Sequence, residues 1–267
     1  MWQQNFEHLL RIRFKSHHAK CSSCVKHRLL IKKLGHSPAA CRAQRLKLQA
    51  HLERQHKDRM VYYEARARSR LGSVTLGLIQ VTSILDSMDA AKHAWPRSRS
   101  MQSKEFASFV RPRLTSTSLI VHGYMVLLAL SPSLVTTGSA RTAEILAAGL
   151  TKLATKLDMR CVFLELQADN SAKEVKNIGM LRVVALWICL HKLGAAQISF
   201  LTSGHSHEDI DAMFSVIRSH LERCHELPTP VAFRDSLRSF FQNPEHRPHE
   251  PQRWVELMSR YKDWKLI

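Results

Sequence analysis

Glycine and proline are scarce, nine of each in 267 residues. That argues against a fibrous or disordered chain, which needs such residues in bulk. Acidic residues are also few: 22 Asp and Glu stand against 40 Lys and Arg, for a formal charge of +18. Long hydrophobic runs are missing. The longest, Leu119 to Leu130, is broken by His122 and Gly123 and is too short to span a bilayer. Met1 to Leu10 is polar and mixed, so no signal peptide is read there. Nor is there a long basic amphipathic helix with aromatic anchors, so a membrane partner is not expected.

What is present points elsewhere. Apolar residues make up 45% of the chain, enough to bury a core in one ordinary domain plus a smaller appendage. The basic excess attracts polyanions and steers them onto the surface. Nucleic acid is the expected partner; a merely soluble basic protein is the plain alternative. Three of the six cysteines sit in apolar runs and read as small core residues. A reducing intracellular compartment is the default.

Residues 1–72 are basic and rich in His, Arg and Gln. Ala39 to Leu71 has strong helix propensity, with no Gly or Pro before Gly72. The pattern changes at Ser73. Val74 to Leu85 reads as a strand ending at Asp86-Ser-Met-Asp89, and Trp95 to Arg113 as a loop. Leu114 to Leu130 reads as two strands meeting at His122-Gly123. Ala140 to Leu157 is helical, and Arg160 to Ala168 a strand ending at Asp169-Asn170. Ser171 to Leu193 is helical with Ser171 as its cap. Ala196 to Leu201 is a further strand, His207 to Cys224 a further helix. The expected organisation is a basic helical arm over 1–72, a core over 73–225 and a helical tail over 226–267. The order β-β-β-α-β-α-β-α predicts an α/β core: a mixed five-stranded sheet flanked by helices, the order of the ribonuclease H fold.

With acids so few, their positions carry information. Asp86 and Asp169 end strands; Glu208, Asp209 and Asp211 open the last core helix. Functional groups gather at the carboxyl ends of strands in open α/β sheets. If the first and fourth strands are parallel neighbours, Asp86 and Asp169 meet there. Three clustered carboxylates suit two Mg²⁺ or Mn²⁺ ions and phosphoryl transfer. The same residues would also serve simply as strand terminators and helix-dipole partners.

Several stretches carry a resemblance. They are Leu164-Glu-Leu-Gln-Ala-Asp169-Asn170 with Glu174-Val-Lys176-Asn177, and Phe200-Leu-Thr-Ser-Gly204-His205-Ser206-His207-Glu208-Asp209-Ile210-Asp211 with Phe214-Ser215. Ser83-Ile-Leu-Asp86-Ser-Met-Asp89 with Lys92, Val121-His122-Gly123 and Asp263-Trp264-Lys265 are weaker companions. Together, from about Phe14 onward, they resemble a eukaryotic family of transposase-derived, ribonuclease-H-like domains of mobile elements. The resemblance implies a transposase- or integrase-like metal-dependent phosphoryl transfer on DNA, and so a nuclear protein. It implies Asp86, Asp169 and an acid of the last helix as the catalytic and metal-binding set, Asp211 first and Glu208 second. Ser87 departs from the family's usual glycine. A decayed, catalytically inactive nucleic-acid-binding domain is the alternative. Lys173 and Lys176 are candidates for phosphate contact. An oligomer is compatible with this reading, and the start and stop of the chain read as those of a piece of something longer.

Two other metal readings arise. His205-x-His207-x-Asp209 resembles the opening of metallo-β-lactamase-like hydrolases, but Ile210 stands where those have another histidine. Cys21-Ser-Ser-Cys24 has zinc-like spacing, with Cys41 as the third expected ligand. His51 and His56 are further candidates, with His17, His18 and His27 nearby. Since His51 and His56 are five apart, they lie about 140° apart around a helix, a poor pair for one ion.

Overall fold

The computed structural model describes residues 21–88, 94–98, 109–132, 135, 138–169, 171–200, 209–243 and 251–258. The chain forms two compact units, Met1–Glu53 and Arg54–Ile267. In the first, α1 (Ser22–Lys33) is followed after a short turn by the start of α2 (Pro38–Arg70). Proline at the first helical position costs α2 nothing, because that N–H has no partner within the helix. The expected boundary at Ser73 followed composition. The compact division falls earlier because Tyr62 and Ser69, late in α2, are buried with the sheet residues of the second unit.

The second unit holds β1 (Val74–Thr75), β2 (Leu78–Met88), β3 (Arg97–Ser98), β4 (Leu114–Val121) and β5 (Met125–Pro132). Then come α3 (Ser139–Leu153), β6 (Val162–Ala168), α4 (Ile178–Cys189), β7 (Ala195–Phe200) and α5 (Asp209–Arg223). β8 (Glu226–Leu227), α6 (Pro230–Gln242) and β9 (Gln252–Leu257) follow. The main sheet has the order β7-β6-β2-β4-β5-β9, with β1 folded back on β2. The trio β2, β4 and β5 is antiparallel, while β6 on β2, β7 on β6 and β9 on β5 are parallel.

Alternation along the strands divides the core in two. Leu85, Leu119, Val121, Leu127 and Ala129 face one side and pack with Ile145, Leu146 and Leu150 of α3 and Val183 of α4. Ile84, Ile120, Val126, Leu128 and Leu130 face the other, against Tyr62 of α2, Phe214 and Ile217 of α5 and Phe233 of α6. A sheet buried on both faces reads as nearly continuous apolar sequence, which is how β5 looks, while β4 buries Ser116, Thr117 and Ser118 ahead of its apolar end Leu119–Val121.

The α/β class and the mixed sheet flanked by helices are as expected, but three details differ. The sheet is wider than five strands, because β1 pairs with β2 and β9 adds beside β5. The 226–267 region is therefore not wholly helical. Its strand escapes notice because Gln252–Leu257 is short and half polar; β5 and Arg238 of α6 (Nε to the Val255 carbonyl, 2.9 Å) hold it in place. Second, α4 begins at Ile178, not Ser171. Asn177 is its cap, accepting from the Met180 N–H at 3.0 Å, and residues 172–175 form turns. Third, β2 continues two residues past Asp86.

Candidate functional site

The parallel register of β2 and β6 runs from Ile79↔Val162 to Leu85↔Ala168. One step further brings Asp86 level with Asp169. By alternation Asp86 shares a face with Ile84 and Met88, in the half of the core that α5 covers. Asp211 stands in the first turn of α5. Asp86 and Asp211 are half-buried and Asp169 is exposed.

Burial pushes the Asp86 carboxyl up from its ordinary 3.8 to about 7. The Ser87 N–H, donating to its Oδ1 at 2.7 Å, opposes that rise. The charges of Asp211, Asp169 and Glu174 reinforce it, in that order. So Asp169 and Asp211 both stand within electrostatic reach of Asp86. Glu174 joins them. Sequence reasoning assigns it no role because it falls between strand and helix, although it stands in the same motif as Asp169. Its Oε1 lies 3.4 Å from a terminal nitrogen of Arg141, a buried arginine near the start of α3. The carboxylates are not drawn into one tight cluster. Among the described residues, Cys21, Cys24 and His51 form the one group of three with all ligand atoms within 4.8 Å. Glu208, the second choice for the third acid, lies outside the described residues, as do Asp89, Lys92, His205, His207 and the Asp263-Trp264-Lys265 motif.

The start of α5 is anchored from two directions. Arg66 of α2 grips Asp209 with one nitrogen shared between both carboxylate oxygens, at 2.7 and 2.6 Å. His122, fully buried at the β4–β5 turn, sits with Nε2 3.9 Å from Asp209 Oδ2 and 2.8 Å from the Tyr62 hydroxyl. Ser69 completes the link: its hydroxyl donates to the His122 carbonyl at 2.8 Å and accepts from the Thr82 N–H at 3.0 Å. Below Asp86 on the same face, Glu165 accepts from the Gln80 amide and, at 3.0 Å, from the Thr82 hydroxyl. Asp209 thus binds protein rather than facing the carboxylate edge, leaving Asp211 as the acid of α5 at that edge.

Lys173 and Lys176 are both exposed on the turns before α4, rather than one helical turn apart as expected. The Lys176 ammonium lies 5.6 Å from the centre of the Phe200 ring, at the end of β7. They border the same edge of the sheet as Asp169.

In the 1–53 unit the expected ligand set changes. Cys21 and Cys24 do come together, but their partner is His51, with Nε2 3.4 Å from the Cys21 sulfur. The Cys41 sulfur instead lies 4.0 Å from the Ile31 carbonyl. Cys41 and His51 sit ten residues apart on one continuous helix, roughly 15 Å along its axis, so one ion cannot take both. Burial, then the neighbouring Cys21, raises the Cys24 thiol above its ordinary value. The group can hold a metal ion. No disulfide joins any of the six cysteines, and no helix among the described residues is long and apolar enough to cross a membrane.

No curated protein and no solved structure matches this chain. One family model does, over residues 113–264, a span that contains Asp169, Glu174 and Asp211 and starts after Asp86. That span is more than half of the chain, which therefore belongs to the family described as a domain of unknown function (DUF7869).

Proposed function

We propose that the edge formed by Asp86, Asp169 and Asp211 is a metal-dependent phosphoryl-transfer site acting on DNA, in a ribonuclease-H-like core of the transposase and integrase kind. The observation that carries the reading is the level placement of Asp86 and Asp169 on adjacent parallel strands, with Asp211 in electrostatic reach. The sheet order supports it too. An antiparallel trio extended by two parallel strands on the side of the first is the connectivity expected of that fold.

The donor set fits hard divalent cations, because it is all oxygen and placed at an accessible edge. Burial and three neighbouring acids hold Asp86 at about 7, a state that a nearby dication would reverse. When bound, two Mg²⁺ or Mn²⁺ ions would activate the attacking oxygen and stabilise the leaving one. The chain's own residues do the rest. Arg66 and Asp209 fix the start of α5 and hence Asp211, Arg141 restrains Glu174, and Lys173 and Lys176 contact the phosphates beside Asp169. The sulfur- and nitrogen-bearing group of Cys21, Cys24 and His51 suits Zn²⁺ instead and stands outside this chemistry.

A DNA cleavage and strand-transfer assay in Mn²⁺ tests the proposal. The parent should cleave, and Asp169→Asn should lose at least about a hundredfold, as expected when a transition-state ligand is removed. Full cleavage by Asp169→Asn would overturn the assignment. DNA binding by parent and variant alike, without cleavage by either, would reduce the function to the basic surface alone.

A further inference from the structure

Two helices that pack together ordinarily bury an apolar stripe. Among the described residues of the 1–53 unit no such stripe is buried. Among its described residues the buried ones are Cys21, Cys24 and Gln44. Three of its larger apolar side chains are turned outward, Leu29 at 55% exposed, Leu46 at 61% and Leu52 at 41%, and Leu30, Ile31, Leu34 and Leu48 are only half-buried. A pair of short helices with so little apolar burial cannot offset the entropy of ordering itself. Something other than hydrophobic contact must hold α1 against the first part of α2.

We propose that one Zn²⁺, held by Cys21, Cys24 and His51, is the core of this unit and is required for it to fold. The inference rests on the assignment of zinc to these three residues and adds the structural consequence. The geometry is already close to a metal site. Donors about 2.3 Å (sulfur) and 2.0–2.1 Å (nitrogen) from a tetrahedral ion stand about 3.5 Å apart. The Cys21 sulfur and His51 Nε2 are separated by 3.4 Å. Cys21 caps α1 and Cys24 is its third residue, so both thiols leave the same face of that helix. His51 comes from α2, so an ion here would cross-link the two helices.

His27 completes the tetrahedron. It lies three residues beyond Cys24 on the same face of α1, is half-buried, and has its ring centre 6.2 Å from that of His51. Its Nδ1 faces the buried Gln44 amide at 2.5 Å, leaving Nε2 for the ion once the ring moves in, since His27 stands outside the group whose ligand atoms lie within 4.8 Å. A half-turn of the amide lets the Gln44 carbonyl accept from Nδ1–H, the outer contact that orients a metal-bound histidine.

The test uses the full chain, reduced and supplied with Zn²⁺. Metal content is measured alongside amide hydrogen exchange over residues 22–33 and 38–53. One zinc per chain is expected. Cys24→Ala and His51→Ala should lose it, Cys41→Ala should retain it, and His27→Ala should bind at least tenfold more weakly. Chelation should release exchange protection in α1 and early α2 while β2 and β6 stay protected. Zinc that stays bound in both Cys24→Ala and His51→Ala, or no zinc in the parent, would overturn the ligand assignment. Zinc that binds as expected but can be stripped without any change in exchange would overturn the folding role and leave the assignment standing. If the variants do not stay soluble, Co²⁺ substitution of the parent decides. Tetrahedral thiolate-to-cobalt bands support the site, and an octahedral spectrum without thiolate bands overturns it.

Discussion

Asp86 is expensive to ionise where it sits. Its carboxyl titrates near 7 in the fold and near 3.8 in an open chain. Below pH 4 both states hold the proton and nothing is lost. Between pH 4 and 7 the unfolded chain releases it and the folded chain does not, so stability falls with rising pH at up to about 1.4 kcal/mol per pH unit. Above pH 7 the penalty is complete, at most on the order of 4 kcal/mol. Asp86→Asn removes the charge yet keeps an oxygen to accept from the Ser87 N–H. In chelator-treated protein the variant should be more stable than the parent by about 2–4 kcal/mol at pH 8 and equal to it at pH 4. Urea titrations across that range check this, and a parent–variant difference that does not change with pH would show that Asp86 is not so perturbed. Asp86 and Asp169 were legible in the sequence because acids are few and these two follow β-branched and apolar runs. Glu174 and Arg141 were not. Their closeness depends on how the turn before α4 and the start of α3 are brought together, which no local pattern encodes.

α5 is a separate element that must be fixed in rotation if Asp211 is to face Asp86. Its start is tied by Arg66 across to Asp209, a pair 24% and 35% exposed at the side chain. That much solvent weakens the pair, so Arg66→Ala should lose no more than about 1 kcal/mol of stability. Its larger effect should be on DNA cleavage, because Asp211 then loses its restraint. Calorimetry with cleavage rates separates the two, and unchanged cleavage would remove Arg66 from the positioning role. α3 is fixed differently. A Cβ at Gly149 would come within 2.3 Å of Leu119 Cδ2, and Leu119 is fully buried. Alanine gains up to about 1 kcal/mol in helix propensity but forces a packed core apart at about 1–3 kcal/mol. Gly149→Ala should therefore be destabilising, and a raised melting temperature would show that the α3–β4 contact can yield. At this scale the sequence was a good guide where periodicity or apolar runs were strong, as in β4, β5, α3 and β6. It misled where two caps competed. Ser171 and Asn177 both suit a helix start, and what decides for Asn177 is that continuous apolar character begins only at Ile178. β9 was hidden because an edge strand borrows its order from β5, not from its own residues. His51 stood among several candidate partners of Cys21 and Cys24, and only the fold-back of α2 on α1 selects it.

Across the whole molecule the charge is unevenly spread. Residues 21–70 carry 13 Lys and Arg against 3 acids, while the complete chain has a formal charge of +18. Most of these bases lie on exposed positions of α1 and α2, including Arg42, Arg45, Arg54 and Arg70 in the long helix. The acids of interest are at the carboxyl edge of the sheet, and α1 and α2 by themselves present a strongly positive surface. Such a surface should bind duplex DNA mainly by displacing counterions. Each phosphate neutralised contributes about −0.9 to the slope of log affinity against log salt. If six to ten phosphates are engaged, affinity should fall by about 10³ to 10⁵ between 50 and 200 mM salt. Arg42, Arg45 and Arg54 replaced together by glutamine should flatten the slope by up to about 3 without favouring one DNA sequence over another. Fluorescence anisotropy with duplexes of unrelated sequence, titrated over that salt range, makes the measurement. An affinity that does not respond to salt, or a triple variant with the parent's slope, would mean that DNA is not held by this surface, and the expectation drawn from net charge would fail with it.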